Sequence, residues 1–420
     1  MLEKMKEIFN KDNYDYSEGY VDPLRFHSTV YFVTKCYGLL NTTVPSWSPF
    51  LILFMMCCAV PAMTLSAMSM LHGFRISDVA TIIEGGAYII VLAYKMLILS
   101  CTKLNVPEFH MFLHTLKADF KYVCTRGARY RERFFKNQLE TWKICLLVAS
   151  AMTIISLLMV TMVALALIYY VSTHDPETGS GRPVLFPFWM FQVDFTKSPT
   201  YEIAFVFSNV CILAYAFNYI FMIETQILWV REIATKADLV IWGVQDLMKG
   251  IHPATNKREE EIFSRLIKYR MTSIIQQHQS MYDLTENYSR VYKKLLMFEQ
   301  IFCGPVVCLT AYSAAEKLDG GEINYILFLL CGSTIIVNFV PSYLCTFLSI
   351  KVISVKDACW GIPFWNAGPV IRPYLVIMIQ RSLRPLPLKA GGFQEVSVQT
   401  FSNKMASAYS CFNMLRQAFK

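Results

Sequence analysis

Charged residues are scarce in this chain of 420 residues. Asp, Glu, Lys and Arg together make up 17% of the sequence, whereas soluble domains carry about 25%. Hydrophobic residues reach 55%, against about 45–50% in soluble domains, and the mean hydropathy is +0.38. This balance argues against an ordinary soluble domain and indicates a polytopic membrane protein.

The sequence also lacks the spacings that bind metals or cofactors. None of its 13 cysteines forms a CxxC pair and most lie inside apolar runs, so we predict free buried thiols rather than a disulfide framework or a zinc site. His110 and His114 are four residues apart, but the Glu of an HExxH motif is missing. No P-loop, GxSxG or GxGxxG sequence stands at a credible location. We therefore predict no metal, no cofactor and no catalysis.

Long apolar runs are what the sequence does contain. A run of about 20 apolar residues crosses a bilayer as a helix, and six such runs are clear. The C-terminal segment is a seventh, with lower hydropathy because polar residues recur along it. We predict an all-α membrane protein with seven transmembrane helices. The six clear runs are Trp47–Met70, Val79–Cys101, Trp142–Val171, Tyr201–Ile223, Leu295–Ala315 and Ile323–Ile350.

Positive charges between the runs predict the orientation. Thirty Lys and Arg residues lie on one set of segments and six lie on the alternate set. Because Lys and Arg are enriched in cytoplasmic loops, the first set is predicted to be cytosolic. The N-terminus is then cytosolic and the C-terminus extracellular, the reverse of a G-protein-coupled receptor. The first set is 1–46, 102–141, 224–294 and 351–392; the second is 71–78, 172–200, 316–322 and the tail after 415.

The C-terminal segment, Phe393–Phe419, combines helical periodicity with a polar stripe. Residues at alternating steps of three and four lie on one face of a helix. A helix that crosses a bilayer cannot turn such a stripe to lipid at low cost. We predict water on this face and protein or lipid on the other; the alternative is a face that packs against neighbouring spans. The stripe consists of Thr400, Asn403, Ser407, Ser410, Met414 and Gln417.

Three stretches of the C-terminal third carry a distinctive pattern: KDACWGIPFW (356–365), IRPYLVIMIQRSLRPLPLKAGGF (371–393) and SVQTFSNKMASAYSCFNMLRQ (397–417). Together they resemble the insect odorant receptor family. The stretch PFWMFQVDFTKSPTYEI (187–203), at the entry to the fourth run, is similar to the same family. Two positions depart from the family pattern, since Cys411 stands where the family usually has Tyr and Cys359 where its aromatic box often starts.

The resemblance implies a ligand-gated, non-selective cation channel in the plasma membrane of an olfactory neuron. In this family an odorant-binding subunit and a co-receptor subunit form a tetramer, whose last helices line a shared pore and whose cytosolic anchor holds the subunits together. The chain lacks the co-receptor's longer loop between spans four and five, so it is expected to be the ligand-tuning subunit. The expected partners are the co-receptor, a volatile small molecule, membrane lipid and permeating cations, and not nucleic acid.

The resemblance divides the chain into six segments. Residues 1–46 form a cytosolic N-terminal segment, and 47–223 form helices S1–S4 with a ligand pocket in the outer half of the membrane. Residues 224–294 form cytosolic helical extensions that belong to the anchor, and 295–350 form S5 and S6. Residues 351–392 contain the anchor helix S7a, and 393–420 form the pore-lining helix S7b.

Two sets of site residues follow. Met414, the one apolar member of the stripe, falls on the family's hydrophobic gate position, where it is expected to close the pore by dewetting. The predicted pore and gate residues are Asn403, Ser407, Ser410, Asn413, Met414 and Gln417. The family binds odorants among spans two, three, four and six, although bundle packing also explains apolar residues there. The predicted ligand-binding residues are Tyr88, Ser156, Leu157, Val160, Phe205, Asn209, Tyr325 and Phe328.

Three charged residues inside the predicted spans need separate explanations. Glu84 and Lys95 lie 11 residues apart on one face of the second span. They cannot pair with each other, because that spacing places them about 16 Å apart along the axis. A functional role and snorkelling to a membrane surface are both open for this pair. Lys404 would repel permeating cations, so we expect its side chain to turn toward the anchor or a lipid headgroup.

Other receptor classes match the sequence less well. A gustatory receptor of the same superfamily usually ends in TYxxxxxQF, whereas Ser410, Cys411, Gln417 and Ala418 occupy those places here. A metabotropic seven-helix receptor would need the opposite orientation, and no Asp-Arg-Tyr follows the third span. A secondary transporter would show an internal repeat, which is not evident. The gustatory and metabotropic receptors stay open as alternatives.

We predict that neither N-x-[ST] sequon of the chain, at Asn41 and Asn287, carries a glycan, because both fall on the predicted cytosolic side. Glycosidase treatment of the expressed protein is expected to leave its mass unchanged. A mass shift that disappears in the Asn41→Gln variant would show that the orientation is wrong.

Overall fold

The computed structural model describes most of the chain, and that part is almost entirely helical. The described residues are 19–40, 48–173, 182, 186, 188–191, 193–195, 197–250, 257–321, 324–362, 370–384 and 388–418. The sequon at Asn41 lies outside them. The helices are α1 Pro23–Phe26, α2 Ser28–Cys36, α3 Ser48–Ile76, α4 Val79–Leu104, α5 Val106–Cys124, α6 Ala128–Thr173, α7 Thr200–Gln245, α8 Lys257–Asp319, α9 Tyr325–Trp360, α10 Arg372–Ser382 and α11 Val398–Ala418, and the strands are β1 Lys389–Ala390 and β2 Gln394–Glu395.

Six helices, α3, α4 and α6 to α9, are long and apolar enough to cross a membrane. Each overlaps one of the six predicted runs. The last helix, α11, has 21 residues and is about 31 Å long at 1.5 Å per residue, close to a hydrocarbon core of about 30 Å. The predicted all-α membrane architecture is confirmed, whereas the orientation of its termini stays a prediction.

Side-chain caps fix where two of these helices begin. The carboxylate of Asp78 accepts a hydrogen bond from the backbone N–H of Ala80 (3.1 Å) at the start of α4. The side chain of Asn324 accepts one from the backbone N–H of Ile326 (3.2 Å) at the start of α9. These bonds satisfy donors that have no partner within the first turn of a helix. Both caps lie in turns that reverse the chain between two spans.

The apolar runs are sections of much longer helices. Helices α6 and α7 contain 46 residues each, and α8 contains 63. At 1.5 Å per residue α8 is about 95 Å long, which is three times a hydrocarbon core of about 30 Å. One end of each long helix therefore extends beyond the membrane. We call this part the extramembrane bundle: residues 128–141, 224–245 and 257–294 together with α5, the end of α9 and α10.

Aromatic packing joins the helices of the extramembrane bundle. Trp229 on α7 is fully buried. Its ring stacks on Phe112 of α5 at 4.5 Å between centroids and meets Tyr292 of α8 edge-on at 5.9 Å. Its indole N–H donates to the backbone carbonyl of Leu284 on α8 (3.2 Å), so burial leaves no unpaired polar atom on the ring. One side chain thus holds α5, α7 and α8 together.

A buried polar network lies farther along the same bundle. The ammonium of Lys236 on α7 and the carboxylate of Asp119 on α5 form an ion pair at 2.8 Å, with side chains 2% and 4% exposed. Gln138 on α6 donates to Glu232 (2.7 Å) and also bonds the ring of His27 between α1 and α2 (2.9 Å). Burial and the neighbouring Asp119 raise the pKa of the Glu232 carboxyl well above its usual range. The network connects the first helices to α5, α6 and α7.

A hairpin of β1 and β2 separates α10 from the last helix. Gly391 and Gly392 form its turn with φ of +63° and +90°, in the left-handed region that favours glycine. The last helix was predicted to begin at Phe393, and this prediction is wrong. Helix α11 begins at Val398, because the preceding residues pair as strands and Ser397 caps the first turn. The Ser397 hydroxyl accepts a hydrogen bond from the backbone N–H of Thr400 (3.2 Å).

We expect Lys236→Met to destabilise the protein by about 3–5 kcal/mol, because it leaves the buried Asp119 charge unpaired. Arg290→Met is the matched control: the Arg290 side chain is 55% exposed in its pair with Glu286, and exposed pairs contribute about 0–1 kcal/mol. Thermal unfolding of the two purified variants measures the difference. A midpoint for Lys236→Met no lower than that for Arg290→Met would contradict the expectation.

Candidate functional site

The membrane helices line a partly open cavity with two lobes. Helices α4, α6, α7 and α9 line both lobes, and α8 adds a wall to one of them. Each lobe has a volume of about 60 Å³. The lobes are neighbours, because five residues border both: Val91, Met152, Tyr215, Leu330 and Ser333.

The first lobe, which we call the Phe186 lobe, is nearly all apolar. Phe186 comes from the segment before α7, and its ring lies edge-on to Tyr88 at 4.8 Å. Trp189 of the same segment stacks on His72 of α3 at 4.2 Å, which ties the segment to the bundle. The hydroxyl of Ser156 bonds a backbone carbonyl of its own helix (2.8 Å). The remaining lining residues are Leu92, Ile155, Met159, Cys211, Ile212, Ala216 and Ile326.

The second lobe, which we call the Glu299 lobe, contains a buried carboxylate. Glu299 of α8 is 4% exposed and accepts a hydrogen bond from the hydroxyl of Tyr94 on α4. Asn338 of α9 donates to the backbone carbonyl of Thr334 (2.9 Å), but its Oδ1 is buried without a hydrogen-bond partner among the described residues. An unsatisfied buried acceptor costs about 1–3 kcal/mol, so this lobe favours an occupant with a hydrogen-bond donor. The remaining lining residues are Ile90, Phe298, Phe302, Cys303, Val306 and Val337.

Each lobe alone is small for an organic ligand. A known apolar cavity that binds benzene has a volume of about 150 Å³, whereas each lobe has about 60 Å³. Met152 and Tyr215 are the two longest side chains that border both lobes, and a methionine side chain adapts its shape easily.

The cavity brings together only some of the residues predicted to bind ligand. Tyr88 and Ser156 line the Phe186 lobe. Three others are half-buried outside the cavity lining, and three are exposed on the chain, at 48–50%. The half-buried residues are Val160, Phe205 and Asn209, and the exposed ones are Leu157, Tyr325 and Phe328.

Sequence reasoning missed Glu299, although the sequence contains a signal for it. An acidic residue inside the apolar run Leu295–Ala315 is costly in a bilayer and usually faces the interior of a bundle. The aromatic and thioether residues of the cavity carry no comparable signal, because spans four to six are apolar around most of their circumference.

The last helix presents its polar stripe to the outside of the chain. Only Ala408 of α11 is buried, against α8 and α9. Met414 is 62% exposed. The hydroxyls of Ser407 and Ser410 bond backbone carbonyls one turn earlier, both at 3.0 Å. Of the other predicted pore residues, Asn403 and Gln417 are exposed and Asn413 is half-buried. This face is unsuited to lipid and has no partner within the described chain.

The charged residues of the spans have different surroundings. Glu84 pairs with Lys317 of α8 at 2.8 Å. Lys95 is fully buried without a hydrogen-bond partner among the described residues, so it does not snorkel. The side chain of Lys404 turns away from the polar stripe. The prediction that it contacts the anchor or a lipid headgroup is wrong. Its stem packs on α8 inside the membrane run, where a Cβ at Gly304 would stand 3.4 Å from its Cγ.

The part of the chain that the structure describes offers few groups for metal binding or thiol chemistry. No group of three or more His, Cys, Asp or Glu side chains is arranged there to hold a metal ion. The cysteines are free, and Cys57 and Cys411 are the exposed ones. The thiol of Cys411 on α11 is a neighbour of the Cys308 thiol on α8. The cavity and the polar stripe are therefore the two functional candidates.

Comparisons with known proteins agree on one family. A family model described as 7tm Odorant receptor matches residues 76–409. Odorant receptor 85f of Drosophila melanogaster is 23% identical over 152 residues, which span 35% of this chain and 37% of that relative. The structure of the insect olfactory receptor OR5 from Machilis hrabei in complex with eugenol matches with a TM-score of 0.72 and 14% identity, over 94% of this chain and 97% of that chain. A second OR5 structure matches with a TM-score of 0.70 and 13% identity, over 95% and 100%. The two structural matches show the fold.

Proposed function

Since this chain belongs to the 7tm odorant receptor family, we propose that it is the odorant-binding subunit of a ligand-gated, non-selective cation channel. The single observation that carries the proposal is the presence, in one chain, of a largely apolar cavity between the membrane helices and a polar helix face without a partner among the described residues. The subunit assembles with a co-receptor subunit into a heterotetramer in the plasma membrane of olfactory neurons. The segment between the fourth and fifth spans supports the role of tuning subunit, because it is short for a co-receptor.

The proposed orientation has the N-terminus and the extramembrane bundle in the cytosol. The uneven distribution of Lys and Arg supports it, since most lie on segments at that side. The bundle is the proposed anchor between subunits, made of residues 224–294 and 351–392. Exposed apolar side chains on its surface support such contacts, because isolated chains rarely expose clustered apolar groups to water without a partner. They include Ile262, Tyr269 and Ile377.

The proposed pore is lined by α11 from each subunit. Hydroxyl and amide groups at Asn403, Ser407, Ser410 and Gln417 would face water and permeating cations. The exposure of this face on the isolated chain supports the assignment, because a polar face in the membrane needs water or protein beside it. Met414 is the proposed gate, an apolar ring that closes the pore by dewetting.

The proposed ligand is a small apolar volatile that carries a hydrogen-bond donor. The Machilis receptor is described in complex with eugenol, and a ligand of that size would occupy both lobes here after Met152 and Tyr215 move. Burial of its apolar part supplies most of the affinity, at about 25 cal/mol per Å². A hydroxyl or amine in the Glu299 lobe would satisfy the Oδ1 of Asn338, which favours alcohols and phenols over hydrocarbons of equal size.

Ser156→Trp is expected to fill the Phe186 lobe and raise the half-activating ligand concentration by about tenfold or more, since overpacking costs about 1–3 kcal/mol. Leu157→Trp is the matched control, because the neighbouring side chain is 49% exposed outside the cavity. Whole-cell currents with the co-receptor, recorded with eugenol and a panel of volatile alcohols, phenols and esters, measure both variants. Equal responses of the two variants would remove this cavity as the ligand site.

Replacing the proposed gate residue should change conduction without ligand. Met414→Ala and Met414→Asp are expected to raise the basal current, because a smaller or charged ring holds water in the constriction; Met414→Asp should also increase cation selectivity. Met405→Ala, on the half-buried opposite face of α11, is the control. The measurement is whole-cell current with the co-receptor present and G-protein signalling blocked. Unchanged basal current and selectivity in both Met414 variants would exclude Met414 as the gate. Loss of the wild-type current when G-protein signalling is blocked would exclude a ligand-gated channel.

A further inference from the structure

Glu299 lies on the cavity wall, on the helix α8 that the last helix also contacts. Its carboxylate is on the wall of the Glu299 lobe and accepts the hydroxyl of Tyr94, which lines the same lobe. The Tyr94 ring stacks on Phe298 at 5.3 Å, and its hydroxyl also approaches the sulfur of Met222 at 3.1 Å. An occupant of the lobe would therefore touch the group that holds Glu299 in place.

Lys404 approaches the same region from the other side of α8. Its stem lies against Gly304, five residues beyond Glu299 on the same helix, where a Cβ would stand 3.4 Å from the Cγ of Lys404. Its ammonium is buried and has no hydrogen-bond partner among the described residues. The ionisable groups within electrostatic range are the thiol of Cys303 and the carboxylate of Glu299. Glu299 is thus the carboxylate available to this cation.

The Lys404 ammonium lies within electrostatic range of the Glu299 carboxylate, but the two groups do not form an ion pair among the described residues. A buried charge without a partner costs several kcal/mol, so contact between the two groups would stabilise a shifted position of α11. The Tyr94 hydroxyl competes for the same carboxylate. Glu299 can therefore be held by a residue of the cavity or by a residue of the last helix, which defines two arrangements of one element.

We infer that Glu299 is a positioning residue that couples the ligand cavity to the last helix. It does so by exchanging its hydrogen bond with the Tyr94 hydroxyl for contact with the Lys404 ammonium. The inference rests on the proposed function and deepens it. A ligand that displaces the Tyr94 hydroxyl frees the carboxylate to attract Lys404, and α11 follows because Lys404 is fixed to it. A ligand shifts an equilibrium between two states only if it interacts differently with each of them. Here the difference lies in the hydrogen bond between Tyr94 and Glu299, which is present in one state and absent in the other.

The neighbouring thiols of Cys308 on α8 and Cys411 on α11 report the position of the last helix without any ligand. Copper-phenanthroline oxidation of the full chain in membranes, followed by mass spectrometry of the linked peptides, measures the rate at which this disulfide forms. Cys411→Ser is the control for the identity of the product. The rate is compared in wild type, Tyr94→Phe and Glu299→Gln, each with Lys404 and with Lys404→Met.

Tyr94→Phe keeps the ring but removes the donor, so it should change the rate by about fivefold or more, the usual size of coupling between two sites. Glu299→Gln should also change it. Both effects should vanish in the Lys404→Met background, because the cation that responds to the carboxylate is gone. The matched control is Glu84→Gln, the other buried carboxylate that faces α8: its effect should persist in that background.

Two results would overturn the coupling. In one, Tyr94→Phe leaves the cross-linking rate unchanged; in the other, it changes the rate equally with and without Lys404. The Tyr94→Phe comparison decides the matter even where Glu299→Gln lowers expression, since it leaves the carboxylate in place. The cross-linking rate does not depend on conduction. A chain that shows the coupling but passes no ligand-activated current with the co-receptor would refute the proposed channel and leave the coupling intact.

Discussion

The contact of Trp229 with α5 and α8 is the interaction on which the arrangement of the long helices depends. It fixes α7 against α8 in the extramembrane bundle, with the indole N–H bonded to a backbone carbonyl of α8. Because both helices are continuous into the membrane, fixing them at one end also fixes how they lie at the cavity. The adjacent ion pair of Lys236 and Asp119 adds a polar restraint between α5 and α7. The cavity is therefore held from outside the membrane as well as from within.

Helix α8 distributes these restraints along its 63 residues. It offers the carbonyl of Leu284 to the bundle, the carboxylate of Glu299 to the cavity and the open surface at Gly304 to Lys404. At its far end it pairs with Glu84 of α4 and with Arg416 of α11. Charges in or near a bilayer need partners, and α8 supplies them to Glu84 and Arg416. A movement of α8 or of its contacts thus reaches the cavity and the last helix together.

The sequence predicted the membrane spans better than the face that each span turns to the cavity. Hydropathy and length identify the spans, but a span that is apolar around its whole circumference has no periodicity that indicates its inner face. Ser156 and Leu157 illustrate the problem, since one lines the cavity and its neighbour is exposed. Glu299 was predictable from its charge. The hairpin before α11 was also indicated in principle, because consecutive glycines at 391 and 392 are unusual at the start of a helix.

The last helix has a polar face that the described part of the chain does not cover. Its length suits a bilayer, yet only Ala408 is buried and its polar stripe faces outward. Lipid cannot solvate that stripe, and the other helices of the chain do not cover it, so the face requires water enclosed by other protein. The opposite face is held by packing on α8 and α9, by the ion pair of Arg416 with Asp319 and by a lysine whose ammonium has no hydrogen-bond partner among the described residues. Because Ala408 is its one buried residue, α11 gives up little buried apolar surface when it is displaced.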